Sequence, residues 1–168
     1  MVKYYETRIE HFRIRTAEAA DTGLILQFIR ELAEYEQLLD EVVATEEILR
    51  GSLFEKRQAH VIIGEYKGEP VGFALYFHNF STFLGRANIY LEDLYIREAF
   101  RGLGLGRAMF ACLAAITLES GGGRLEWWCL DWNEPSIAFY KRMGARAMDE
   151  WTVYRVAGDA LDKLAARL

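Results

Sequence analysis

A chain of 168 residues, 52% hydrophobic and 27% charged with two prolines, has material for a single folded domain with a substantial core, and it is neither disordered nor low-complexity. Twenty-five acids against twenty bases leave a net charge of −5, which disfavours nucleic acid as a partner and suits a cationic one. No basic start with an apolar run opens the chain and no stretch approaches membrane-spanning length, so a cytoplasmic protein with no membrane partner is expected.

Alternation at His11 to Arg15 predicts a short strand with Phe12 and Ile14 on one face. Asp21 and Thr22 are expected to cap a helix whose apolar positions are Leu24, Ile25, Phe28, Ile29, Leu32 and Tyr35. Its other face carries Arg30, Glu31, Glu34 and Glu36, followed by Asp40 and Glu41. Those acids read either as a solvated face or as a negative rim that attracts an amine. Thr45 caps a second short helix, with Glu46 and Glu47 in its first turn.

Ala59 to Tyr66 and Pro70 to Phe80 read as strands joined at Lys67-Gly68-Glu69, and Ser81 to Ala87 as a loop. A strand from Ile89 to Ile96 follows, with Glu92 and Asp93 set in its apolar middle, an odd place for charge. The glycine run Gly102-Leu103-Gly104-Leu105-Gly106 then opens onto a helix to about Ser120, which Gly121 to Gly123 terminate. Leu125 to Leu130 reads as a strand and Ser136 to Met143 as a helix, with Pro135 in its first turn and Asn133 or Glu134 as cap. A last strand over Ala147 to Val156 and an amphipathic tail, Asp159 to Leu168, complete the order. The expected class is α/β: a mixed sheet flanked by helices.

Cys112 and Cys129 both lie in apolar surroundings and read as buried free thiols; with His11, His60 and His78 they share no ligand spacing, so no metal is expected.

Strand, glycine turn and helix together form an anion cradle, because glycine lets backbone N–H groups face a phosphate and the first free helix amides add partial positive charge. A P-loop is excluded, since Gly106 is followed by Arg107-Ala108 instead of Lys-Ser/Thr. A dinucleotide fingerprint fails as well, because Arg107 stands where its third glycine belongs. What remains is Arg-x-x-Gly-x-Gly, Arg101 to Gly106.

That pattern, with Trp132 to Ala145 (W-N-E-P-S-I-A-F-Y-K-R-M-G-A), resembles the GNAT acetyltransferase superfamily. Tyr90 to Tyr95 (Y-L-E-D-L-Y), Glu31 to Glu36 (E-L-A-E-Y-E) and the N-E-P-S segment are most similar to its diamine branch, the spermidine/spermine and thialysine N-acetyltransferases. The resemblance implies a mostly antiparallel sheet whose fourth and fifth strands splay to admit the pantetheine arm of acetyl-CoA. It implies backbone contacts to that arm from Leu94, Tyr95 and Ile96, and a pyrophosphate site at Arg101, Gly102, Leu103, Gly104, Leu105, Gly106 and Arg107. Asn133, Pro135, Ser136, Tyr140 and Met143 complete the implied cofactor set.

Glu92 resembles the residue that takes the proton of the ammonium through water, and Tyr140 the one that protonates the departing thiolate. An alkylammonium must lose a proton before it can attack, and a phenol near pKa 10 can serve a thiolate near 8.5 where the site supports it. Tyr35, Glu36, Glu92, Glu126, Trp127 and Trp128 are the implied substrate contacts, with Glu34, Asp40, Glu41 and Asp93 adding negative field. Trp127 and Trp128 lie on opposite strand faces, and their bulk leaves a shorter amine as plausible as spermidine. The expected activity is acetyl transfer to a primary amine of a small polyamine, diamine or lysine-like molecule, by direct attack in a ternary complex. Acetylation of a protein or peptide amine and a non-catalytic acyl-CoA-binding module stay open as alternatives. A homodimer is implied by the family, with the tail and last strand as candidate contacts.

Overall fold

Phe12 and Ile14, alternate residues of one strand, are both buried, so the alternation read in the sequence is the pleat of a sheet resting on a core. The computed structural model describes residues 1–168. The chain divides into two units, Met1–Trp128 and Cys129–Leu168, which are taken in turn.

The first unit holds six strands in sequential order: β1 (Tyr4–Glu6), β2 (Phe12–Thr16), β3 (His60–Tyr66), β4 (Glu69–Ser81), β5 (Arg86–Ile96) and β6 (Leu125–Trp127). Neighbours are antiparallel except β5 and β6, which run parallel. A parallel pair needs a long crossover, and the helix α3 (Leu105–Glu119) provides it. The mixed, mostly antiparallel sheet is the one expected.

β1 was not foreseen, so the splayed strands are the fifth and sixth. Three residues are too few for periodicity to register, and Tyr5 opposite Ile14 sets the pairing. Asp21 also departs from expectation. It precedes α1 (Thr22–Tyr35) without capping it, because its carboxylate accepts two hydrogen bonds from Arg15, at 2.7 and 2.8 Å, and one from the Glu18 amide. Thr45 does cap α2 (Glu46–Arg50), accepting from the Ile48 amide, and that helix runs on as a π-helical turn, Gly51–Glu55.

α1 and α2 cover one face of the sheet. Ile25, Leu26 and Phe28 of α1 meet Leu49, Leu53, Val61, Ile63 and Phe73 in one buried cluster, with Phe28 stacked on Phe73 at 5.5 Å. α3 lies on the opposite face, where Phe110 packs edge-on against Trp127. The loop after β4 is shorter than expected, since Ser81 belongs to β4 and Arg86 and Ala87 to β5.

The register of β4 on β5 slips once. Leu75 faces Asp93 and Tyr76 faces Leu91, so Glu92 is the extra residue of a β-bulge. The slip accounts for the length of β6. Its pairing with β5 covers only Ile89–Leu91 against Leu125–Trp127, because β5 bends away at the very next residue. A strand to Leu130 is therefore not formed.

In the second unit, α4 (Glu134–Arg142) starts two residues before the expected Ser136, since Asn133 is the cap: its Oδ1 accepts from the Ser136 amide, and Pro135 sits in the first turn. Gly144, at φ 89°, follows its end. The expected strand over Ala147 to Val156 is absent; the segment is irregular, with Trp151, Val153, Tyr154 and Val156 exposed. Strand propensity makes a strand only where a neighbour takes up its peptide groups. α5 (Asp159–Ala165) falls within the expected tail. Both cysteines are free, but only Cys112 is buried; Cys129 is half-exposed, which corrects the sequence reading. No helix is long and apolar enough to cross a membrane.

Candidate active site

The bulge decides which side chains share a face. In a regular strand Tyr90 and Asp93, three residues apart, would point to opposite sides. With Glu92 extra, Tyr90 pairs with Phe77, Asp93 with Leu75 and Tyr95 with Phe73, and all three lie on the face that carries α1 and α2. Glu92 itself is exposed, while Asp93 is half-buried. Burial, helped by the charges of Glu92 and Glu36, pushes the Asp93 carboxyl up to about 7. Glu36, at the end of α1, is raised by its own burial.

The acids of α1 and of the segment that follows it thus divide into three roles. Glu34, Asp40 and Glu41 are exposed and solvated. Glu31 pairs with Arg97 through two bonds of 2.9 and 3.0 Å. Burial alone would raise Glu31, but the Arg97 guanidinium outweighs it and holds the carboxyl below its usual range. Arg97 also donates to the Pro70 carbonyl and lies over the Phe28 ring at 4.8 Å. Arg101 donates from Nε to the Ile96 carbonyl at 3.0 Å, with its guanidinium over Tyr35 at 4.7 Å and Tyr95 at 5.8 Å. Two arginines therefore fasten the end of α1 to the end of β5 and the start of the glycine loop.

Gly102 and Gly104 both have φ of 81°, the left-handed conformation that L side chains pay to adopt, and they turn the chain from β5 into α3. The first-turn amides of Leu105, Gly106 and Arg107 have no intrahelical carbonyl to bond. Leu103 is exposed and Leu105 buried. Along β5, the Arg97 amide bonds the Val71 carbonyl, and in an antiparallel ladder bonded and non-bonded positions alternate. Tyr95 consequently turns its peptide groups to β4, whereas Leu94 and Ile96 turn theirs to the edge that β6 leaves open.

On that same face, Glu126 of β6 lies opposite Tyr90, and its Oε2 accepts from Asn79 Nδ2 at 2.9 Å. Trp128 meets the Tyr90 ring edge-on at 5.9 Å, and Phe77 lies 5.1 Å from it on the other side. Trp127 points the other way, to Phe110 and α3. In the second unit, Asn133 is buried at the cap of α4. Ser136, Tyr140 and Met143 follow at helical spacing on one side of it.

Comparison with known proteins decides the family. The model of the acetyltransferase (GNAT) family matches residues 25–145. Thialysine N-epsilon-acetyltransferase of Bos taurus is 40% identical over 166 residues, covering 92% of this chain and 97% of that one. The chain belongs to the acetyltransferase (GNAT) family. Spermidine/spermine N(1)-acetyltransferase-like protein 1 of Homo sapiens is 31% identical over 161 residues, covering 89% of this chain and 23% of that protein. Among solved structures, an integron cassette protein from the mobile metagenome of V. cholerae superposes with a TM-score of 0.78 at 27% identity, covering 92% and 98% of the two chains.

The GNAT enzyme uses acetyl-CoA, and the residues present fit it. Left-handed Gly102 and Gly104 with three free first-turn amides make a cradle for an anion, and the open edge of β5 offers peptide groups to an extended amide-bearing arm. The structure also brings forward groups that the sequence reading underrated. Asp93, counted there only as negative field, is the carboxyl poised near neutrality, and Asn79 and Tyr90 were not singled out. A bulge leaves no mark in periodicity, although a polar Asn79 between His78 and Phe80 of a long strand was a usable signal.

Proposed function

We propose that this acetyltransferase moves the acetyl group of acetyl-CoA onto a primary amine of a small polyamine, diamine or lysine-like molecule, by direct attack in a ternary complex, with residues 1–168 acting as a single catalytic domain. The observation that carries the proposal is the bulge at Glu92, which sets two adjacent carboxyls beside the end of α1 and directly before a phosphate cradle. When bound, acetyl-CoA would supply the thioester carbonyl that the amine nitrogen attacks, with the CoA thiolate as the leaving group. Glu92, exposed at the bulge, takes the ammonium proton through water, which frees the nitrogen lone pair. Asp93, with a proton affinity near neutrality, shares that proton and holds negative charge next to the cation.

Tyr35 and Glu36 border the amine from the end of α1 and its cap, Glu126 from β6 and Trp128 from just beyond it, and Tyr140 Oη returns a proton to the thiolate sulfur. The assignments of Tyr140, Asn133, Pro135, Ser136 and Met143 rest on the family motif, those of Arg101 to Arg107 on motif and cradle together. Direct attack is supported by Cys112, whose buried thiol is pushed up to about 12 and forms too little thiolate to carry an acetyl group. The names of the relatives, acting on thialysine and similar to spermidine/spermine acetyltransferase, support a small amine as acceptor. A homodimer is part of the proposal: the exposed run Trp151 to Val156 has the composition of a strand that awaits a partner.

The test is CoA release with acetyl-CoA over a panel of polyamines, diamines and basic amino acids between neutral and alkaline pH. Turnover with at least one primary amine is expected. Absence of turnover with every amine at alkaline pH would sink the reading.

A further inference from the structure

The motif puts Arg101 at the mouth of the glycine cradle, but its side chain turns to the other face of the sheet. Its own amide is bonded to the Glu98 carbonyl at 3.0 Å, and its Nε donates to the Ile96 carbonyl at 3.0 Å. The guanidinium then lies over two rings, Tyr35 at 4.7 Å and Tyr95 at 5.8 Å. Both rings belong to the α1 side: Tyr35 is the last residue of that helix, and Tyr95 packs on Phe28 in the buried cluster beneath it. The free amides of the cradle belong to α3, which lies on the opposite face. A guanidinium stacked on Tyr35 and Tyr95 is thus committed to the amine side of the sheet.

Its two kinds of contact reach different parts of the reaction. Ile96 turns its peptide groups to the open edge of β5, where the arm of acetyl-CoA would pair, and a carbonyl that accepts from Arg101 keeps a second lone pair for that arm. Tyr35 borders the amine beside Glu36, yet it is 39% exposed, so burial does little to hold its ring. One turn earlier Glu31 is bonded twice by Arg97, which fastens the helix without touching the Tyr35 ring. The cation above that ring sets its place. Only a planar guanidinium can bond a carbonyl through Nε and stack on rings at once; an ammonium can do one or the other.

We propose that Arg101 is a positioning residue for the acceptor: through Tyr35 it sets the border of the amine site against the strand edge that receives the acetyl donor, and its side chain grips no phosphate. The pyrophosphate is left to the backbone from Gly102 onward, which narrows the cofactor set of the motif by one side chain. The inference rests on the proposed amine acetyltransferase activity and adds a residue to its acceptor side.

Titration calorimetry of CoA onto the full chain, together with steady-state kinetics, separates the two roles that arginine could have. Arg101→Met should change the Kd for CoA by less than about threefold, whereas loss of a charge-assisted phosphate contact would weaken it at least about tenfold. The same variant should raise the KM for the amine about fivefold, the worth of one cation–π contact, with kcat nearly unchanged. Arg101→Lys, which keeps a cation for the ring but not the carbonyl bond, should fall between. Tyr35→Leu removes the ring itself, so adding Arg101→Met to it should raise the amine KM no further. Effects of the two substitutions that multiply would overturn the inference. So would a CoA affinity weakened about tenfold or more in Arg101→Met, or an amine KM unmoved in a variant whose melting temperature matches the parent. Should Arg101→Met melt early, Arg101→Lys carries the same comparison. Turnover of no amine at all would refute the activity reading instead, and calorimetry would still decide whether the side chain grips phosphate.

Discussion

Replacing Asp93 by Asn should make the protein more stable at alkaline pH and poorer at its reaction. A carboxyl raised from its ordinary 3.8 to about 7 holds its proton in the native state over a range where the unfolded chain has lost it. Native protein binds more protons than unfolded protein between those values, so stability falls as pH climbs through them, and by pH 8 the full cost is present. Roughly three pH units at 1.36 kcal/mol each would give about 4 kcal/mol. Asp93 is only half-buried, and solvent screening brings the expected cost to about 2 kcal/mol. Asparagine keeps the shape and cannot ionise. Urea unfolding should therefore find the two proteins equal within error near pH 4 and the variant about 2 kcal/mol more stable at pH 8, on the order of 4–8 °C in melting temperature for a chain of this size. The variant should at the same time lose activity, as expected where a strained charge is kept for function. A difference that does not change between pH 4 and pH 8, or a variant less stable at pH 8, would refute the reasoning.

Glu92→Gln should depress the rate most at lower pH, where the ammonium most needs a base, and an unchanged pH–rate profile would remove Glu92 from that role. Gly104→Ala, forced to keep φ at 81°, should cost about 1–2 kcal/mol in thermal unfolding and raise the KM for acetyl-CoA about tenfold, because the first-turn amides shift with it. Arg15→Met should cost about 3 kcal/mol in urea unfolding at pH 7, since it leaves the mostly buried Asp21 carboxylate without a cationic partner and Glu65 with Arg13 alone. Burial alone would raise both acids, but bonds from Arg15, the Glu18 amide and Arg13 hold them below the usual carboxyl range. Their contribution is accordingly full above that range and is lost as pH falls through the folded values, so the variant should show a weaker acid dependence than the parent.

Five of the six strands, the crossover helix and the glycine run were legible because each has a local signature: alternation, helical spacing and the Gly102 to Gly106 sequence. The odd placement of Glu92 and Asp93 was legible too, and pointed to the strand that matters. What periodicity could not convey was the bulge, because one inserted residue changes which face a side chain takes without changing the strand's composition. Hence Asp93 was counted as field alone, and Trp127 and Trp128 were not told apart until Phe110 and Tyr90 took one each. The run Trp151 to Val156 shows the reverse failure. Its residues favour a strand, but nothing in a local window states whether a neighbour exists to pair with it. Asn133 as helix cap and Thr45 as helix cap followed from side-chain chemistry alone, whereas Asp21 did not, since Arg15 from a different element claims its carboxylate.

Direct transfer of acetyl to an amine at this site is tested most directly by intact-mass spectrometry during a single turnover, with enzyme in excess of acetyl-CoA and an active amine present. The acetyl group should pass from acetyl-CoA to the amine with the chain itself unmodified at every time point. Acetyl carried transiently on Cys112 or Cys129, or CoA released with no acetylated amine formed, would contradict the account.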